Sequence, residues 1–231
     1  MFTLNTPRPM TKSLRVLAAL LGYPDARLHS HLAEMRDLLR DEGALSRSRR
    51  GELDTLMDTL RCADALTAES DYVELFDRGR ATSLHLFEHV HGDSRDRGPA
   101  MIDLGQTYEK AGLILAVGEL PDYLPALLEF VSTQPPREAK AFLGEMAHIF
   151  NAIFAALVQR DSAYASVLGA LLELAGEKAQ PIKPPAEEPL DESWAEPVVF
   201  DGCSSKGQAK PGQAQPIHIV RANKVATGAS S

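Results

Sequence analysis

The string His85-Leu86-Phe87-Glu88-His89 has the residue types and spacing most suggestive of chemistry in this 231-residue chain. It matches the H-x-x-E-H pattern of inverted zinc metalloproteases. There, two histidines four apart on one helix face share a zinc, and the glutamate acts as general base. A third ligand is needed, and His91 is too close in sequence to supply it if the helix ends near Gly92. The residues favour a plainer alternative, a half-buried helix face whose histidines hydrogen-bond to their neighbours. Other templates fail outright. Gly202-Cys203-Ser204-Ser205-Lys206-Gly207 runs on into Gln208 and is no phosphate loop. No G-x-G-x-x-G follows a strand, and there is no G-x-S-x-G elbow. Cys203 lacks a fixed base. Cys62, with Leu60 and Leu66 nearby on a helical pattern, is expected to be a small core residue. No catalytic residue and no metal ligand is assigned.

Two further groups could bind rather than react. The block from Tyr72 to Ser83 includes Phe76, Asp77, Arg78, Gly79 and Arg80, and leads into the histidine string. Arg95, Asp96 and Arg97 follow it, before Gly98. Two readings stay open. One is a solvated charged face. The other is a polar network that shapes a groove, made of Phe76, Asp77, Arg78, Arg80, Ser83, His85, Glu88, His89, Arg95, Asp96 and Arg97. In it the planar arginine forks would hold carboxylates and helix-end carbonyls. The second group is Glu119-Leu120-Pro121-Asp122-Tyr123. As structure it is a helix start, with prolines in the first turn and Asp122 as N-cap or dipole-favoured acid. As function, Glu119, Asp122 and Tyr123 cluster at the mouth of a groove. Carboxylates beside aromatic surface there suit a peptide with basic and greasy parts. On that reading Asp122→Ala weakens binding and leaves the fold intact.

The elements that must position these groups are helices. Leu14, Leu17, Ala18 and Leu21 have the spacing of one helix face, as do Leu28, Leu32, Met35 and Leu39 after Pro24-Asp25. Leu53, Leu56, Met57 and Leu60 form another stripe. Phe142, Met146, Ile149, Phe150, Ile153 and Leu157 read as one long helix opened by Pro135-Pro136. Val167, Leu168, Leu171, Leu172 and Ala175 predict a last helix that closes at Gly176. Strand signals are scarce. The expectation is an all-α bundle of seven or more helices between about residues 11 and 175.

Residues 176–231 differ sharply, holding seven of the 15 prolines and five lysines. This part is expected to be a mostly disordered tail. A possible docking motif interrupts it around residues 194–200, where Trp194, Val198, Val199 and Phe200 stand among acids. That motif reads either as a segment docked on the bundle or as a switchable linear motif.

The balance of residues narrows the function classes. Hydrophobic residues make up 44% and charged ones 24%, as in an ordinary globular protein. Two cysteines exclude a disulfide-rich scaffold. A formal charge of −8 argues against non-specific nucleic-acid binding and favours basic partners. No apolar run has the length of a membrane span. The N-terminal Arg8, Lys12 and Arg15 before an apolar stretch resemble a short secretory signal, but the helical spacing is the better fit, and a cytoplasmic protein is expected.

Glu74 and the run Leu75–Gly98, together with Leu21-Gly22-Tyr23-Pro24 and Glu119-Leu120-Pro121-Asp122, closely resemble the signature of the NarJ family. These are molybdenum-cofactor assembly chaperones of respiratory nitrate reductase, within the TorD-like group of redox-enzyme maturation proteins. The likeness spans about residues 13–175 and continues loosely around Trp194. It implies an all-α, non-catalytic chaperone with no permanently bound cofactor. Such a chaperone binds the catalytic subunit of nitrate reductase, including its N-terminal peptide, before membrane attachment. It assists insertion of the molybdenum guanine dinucleotide cofactor into that client, with molybdenum cofactor biosynthesis proteins as further partners. Related chaperones commonly carry Pro-Asp-His at the short motif, where this chain has Tyr123. The implied mechanism is a groove that takes the apolar side of a helical client peptide, with Glu119 and Asp122 as its acidic rim and Leu120, Pro121 and Tyr123 beside them. The rivals are a zinc hydrolase built on His85, Glu88 and His89, and a structural subunit retained in the finished reductase.

Overall fold

The last helix, α10 (Ala165–Ala175), is the centre around which the rest is arranged. Ten of its eleven residues are buried. A helix that apolar on all sides must be surrounded. It packs against α1 (Thr11–Leu20), α3 (Arg47–Cys62), α8 (Pro136–Glu145) and α9 (Ala147–Gln159). Outside that ring, α2 (Ala26–Glu42) lies against α1 and α3, and α7 (Leu124–Ser132) lies against α1. Three helices complete the set: α4 (Ala65–Tyr72), the five-residue α5 (Leu86–Val90) and α6 (Arg97–Lys110). A π turn (Val73–Asp77) continues α4, and a 3₁₀ turn (Arg80–Thr82) follows. The computed structural model describes residues 9–180 apart from 93 and 117. The Trp194–Phe200 motif, Cys203 and the expected disorder beyond residue 180 lie outside the described residues.

The predicted stripes are the buried ones. Leu14, Leu17, Ala18, Leu21, Leu28, Leu32, Met35, Leu39, Leu53, Leu56, Met57 and Leu60 all belong to one core. Local chemistry sets the helix ends. Asp25, Ser46 and Asp64 each accept the N–H of the residue three ahead, which satisfies one orphan donor per helix. Gly43 and Gly176 end α2 and α10 with φ of 60° and 85°, in the left-handed region that glycine enters without strain. After Gly176 the chain stays attached for a few residues: the Gln180 N–H donates to Asn151 Oδ1 at 2.7 Å.

Three expectations need correction. The long helix from Pro136 is two helices, α8 and α9, bent by 63° about Met146. A straight helix of that length would run roughly 36 Å. That is more than twice the length of α10, so the bend lets both apolar stripes lie on α10. Cys62 is exposed at the last position of α3, and Leu66 is 74% exposed beyond it. The stripe that ends at Leu60 had already turned the core-facing side away. His85 is not helical: it has φ −88° and ψ 103°, and it stands as the residue before α5. Among the described residues no single helix is long and apolar enough to cross a membrane.

Candidate functional site

The two candidate motifs meet at one crossing. His85 and Tyr123 form an isolated antiparallel bridge. The Leu86 N–H donates to the Asp122 carbonyl at 3.0 Å, and the Leu124 N–H donates to the Leu84 carbonyl at 2.9 Å. The Asp122 side chain completes the crossing. Its Oδ2 accepts the Phe87 N–H at 3.2 Å, and its Oδ1 lies 3.3 Å from His85 Nδ1. Asp122 therefore caps α5 from another part of the chain, satisfying the first two free N–H groups with its carbonyl and its carboxylate. Arg97 Nη2 stands 3.7 Å from the same carboxylate and 3.6 Å from Glu88. The hydrogen bond to Asp122 raises the His85 pKa above its ordinary value, against the opposing effect of burial.

Asp122 has no exposed surface, so it cannot be the rim carboxylate expected of it. Nor does it cap its own helix: Tyr123 is the N-cap of α7 and Pro125 lies in the first turn. A carboxylate facing His85, Arg97 and a helix start gains more from them than from water. Asp122→Ala is accordingly expected to damage the fold, contrary to the sequence-based expectation. The two histidines of the H-x-x-E-H string also part company. His85 faces Asp122, while His89 Nε2 lies 2.9 Å from the Ser83 carbonyl. No group of three or more His, Cys, Asp or Glu among the described residues is placed to hold a metal ion.

The polar block divides the same way. His85 and Arg97 meet Asp122 directly, Glu88 joins through Arg97, and Ser83 links His85 to His89, its hydroxyl accepting the His85 N–H at 3.2 Å. Phe76 and Asp77 face a cavity instead. Arg78 pairs with Glu74 at 2.8 Å on an exposed surface, and Asp96 meets Ser94 in the exposed turn before α6. Arg80 and Arg95 are exposed as well.

Three openings lie side by side as a cleft region, each sharing a lining residue with the other two. A cavity of about 230 Å³ is lined by Tyr23, Tyr72, Phe76, Asp77, Leu84, His85 and Tyr123. A second, of about 130 Å³, lies between the loop after α6 and α7 and includes Tyr108, Leu115, Glu119, Tyr123, Glu129 and Phe130. The third, about 430 Å³ between α1 and α2, includes Tyr23, Met35, Leu38, Glu34 and Glu129. Tyr123 is common to the first two, Tyr23 to the first and third, and Glu129 to the second and third. The acids at its edge are Asp25, Glu34, Asp77, Glu119 and Glu129, all exposed, with Arg15 and Arg27 beside those of the third opening. Leu120 is 44% exposed beside Glu119, while the Pro121 carbonyl accepts the Tyr108 hydroxyl at 2.7 Å.

Tyrosines frame this cleft. The Tyr72 hydroxyl donates to the Leu21 carbonyl at 2.7 Å and lies 3.2 Å from the Tyr123 hydroxyl. Burial pushes the Tyr72 hydroxyl pKa far upward. Tyr123 thus takes up its polar tip with Tyr72. Sequence reasoning missed Tyr72 and Glu129 as lining residues, and it quoted Tyr23 only as part of a motif. The available signal for Tyr23 was an aromatic residue just past a helix end and before Pro24, where it cannot join the core stripe.

The helical architecture has a solved counterpart among candidate redox-enzyme maturation proteins. A crystal structure of a candidate protein of that class from Archaeoglobus fulgidus superposes with a TM-score of 0.55 over 77% of this chain and 100% of its own, at 20% identity, which shows a common fold. The nitrate reductase delta subunit profile matches residues 26–168. The nitrate reductase molybdenum cofactor assembly chaperone NarJ of Escherichia coli K12 is 42% identical over 198 residues, covering 85% of this chain and 84% of its own. NarW of the same strain is 42% identical over 163 residues, covering 71% and 68%. The chain belongs to the nitrate reductase delta subunit family, as its central signature led one to expect.

Proposed function

We propose that this protein is a non-catalytic chaperone for the assembly of respiratory nitrate reductase. It holds the catalytic subunit in the cytoplasm, through contacts that include that subunit's N-terminal peptide, until the molybdenum guanine dinucleotide cofactor has been inserted. The cofactor is cargo for the client, brought by molybdenum cofactor biosynthesis proteins, and is not a resident group of the chaperone. The observation that carries this reading is the 42% identity to the Escherichia coli NarJ chaperone along 85% of the chain.

The cleft supports the reading physically. An amphipathic guest helix needs an apolar floor for one face and carboxylates near its basic residues. Leu84, Phe130, Leu115 and the tyrosines supply the first, and Asp77, Glu119 and Glu129 the second. Glu119, Leu120 and Tyr123 are the members of the short motif that touch the guest, while Pro121 and Asp122 hold them in place. Such exposed charges speed encounter more than they tighten the complex, which suits a guest that must be released.

Deleting the gene and assaying the molybdenum content of the accumulated reductase tests the proposal. A reductase deficient in molybdenum, restored by the gene supplied in trans, is the expected result. A fully loaded reductase in the deletion strain overturns it.

A further inference from the structure

We propose that the 230 Å³ cavity between Tyr23 and Tyr123 is a receptor for one side-chain cation, a guanidinium or ammonium, carried by an otherwise apolar guest peptide. The inference rests on the chaperone function proposed above and specifies the chemical group that this part of the cleft takes.

The walls are aromatic on most sides. Tyr23 meets Tyr72 edge-on with ring centroids 5.7 Å apart, and Phe76 lies 4.8 Å from Tyr72. On the opposite wall the His85 ring lies 5.4 Å from that of Tyr123, tilted by 34°. Aromatic faces carry negative potential and draw cations, and guanidinium also stacks on them. A cavity of about 230 Å³ is ample for one planar or tetrahedral head group. The hydroxyls of Tyr72 and Tyr123 are turned to each other, and that of Tyr72 also to the Leu21 carbonyl. Much of what they leave for a guest is ring surface.

Charge distinguishes a cation from a merely greasy side chain. Behind the cavity the carboxylates of Asp122 and Glu88 face Arg97, and the His85 ring bonds to Asp122. Asp77 stands at the lip, apart from that cluster. It is placed there by the π turn, in which the Arg78 N–H reaches the Val73 carbonyl five residues back. The wider turn brings Asp77 round to the side of Tyr72, and such turns recur at functional sites. The Asp77 charge acts on the hydroxyls of Tyr23, Tyr72 and Tyr123 alike, which puts it within electrostatic reach of three walls of the cavity. An apolar guest gains nothing from that carboxylate and an acidic one is repelled.

The test is calorimetric titration of the full-length chain with the N-terminal peptide of the nitrate reductase catalytic subunit, beside a scrambled peptide. Each arginine of the peptide is replaced in turn by citrulline and each lysine by norleucine. At one position the replacement should weaken binding by about three- to thirty-fold. Tyr23→Leu and Asp77→Asn should each produce a loss of that order, and the same peptide replacement should then cost little more. Tyr23→Phe, which keeps the ring, should bind as the unaltered chain does. Both residues are accessible, Tyr23 being 48% exposed, so these variants leave the core untouched. If the native peptide binds well but no single charge removal affects it, or if Tyr23→Leu and Asp77→Asn lose nothing, the cation receptor is overturned and the chaperone reading stands. Heat indistinguishable from the scrambled peptide overturns both.

Discussion

The surroundings of α10 and the segment from Ser83 to Tyr123 are held in place by different physics. Around α10, leucines, isoleucines and phenylalanines interlock, and ten of eleven helix residues are sealed from water. Between Ser83 and Tyr123 the helices are short or exposed: α5 has five residues, and only Tyr108 of the fourteen in α6 is buried. Besides the few buried side chains Leu84, Leu86 and Tyr108, that segment is held by one buried carboxylate with a backbone bridge, joining residues 37 positions apart. An apolar interior distributes its stabilisation over dozens of contacts. A polar hub concentrates it in a few bonds and also sets orientation, which a cleft wall requires.

The contrast predicts a graded series, measured by urea denaturation. Phe150→Ala, in the fully buried part of α9, should cost about 3–5 kcal/mol through lost transfer energy and a residual cavity. Asp122→Ala should come next, at about 2–4 kcal/mol. It strands the Phe87 N–H, the Arg97 guanidinium and the His85 ring, but His85 and Arg97 still have 34% and 29% of their side-chain surface in water, which softens the loss. If it costs under 1 kcal/mol, the hub is not what holds the segment.

His85→Gln should cost on the order of 0.5–1 kcal/mol, the ring being partly solvated. That cost should depend on pH. The folded-state pKa is raised, so the stabilisation is complete below the ordinary histidine value and fades as pH rises through the raised one. The gap between the native chain and His85→Gln therefore narrows on the alkaline side. A gap that widens there contradicts the pairing with Asp122. Ile102→Ser, on the exposed side of α6, should change stability by no more than about 0.5 kcal/mol.

The same division explains what the sequence could disclose. Stripes such as Leu53, Leu56, Met57 and Leu60 announce their burial because a helix repeats its face every three to four residues. Capping acids and closing glycines are local as well, so Asp25 and Gly176 were legible. The break at Met146 was not: Phe142 to Leu157 keeps phase through it, and only the short reach of α10 demands the bend. Asp122 was legible as a helix-start residue and as a motif member. Its burial depends on His85 and Arg97, which no periodicity relates to it. Cys62 shows the reverse error, a residue credited with its neighbours' burial when it sits just past the end of their face.

The sparse anchoring of α6 has a consequence of its own. Its ties to the body are Arg97 at its start, beside Asp122 and Glu88, and Tyr108 near its end, whose ring lies 4.9 Å from that of Phe130 and whose hydroxyl is held by the Pro121 carbonyl. A helix fastened at its two ends and exposed between them can loosen and reseat while the interior around α10 stays closed. Local opening there would widen the cleft between the loop after α6 and α7 without melting the molecule. Thermal fluctuation alone could then admit a bulky guest and later let it go.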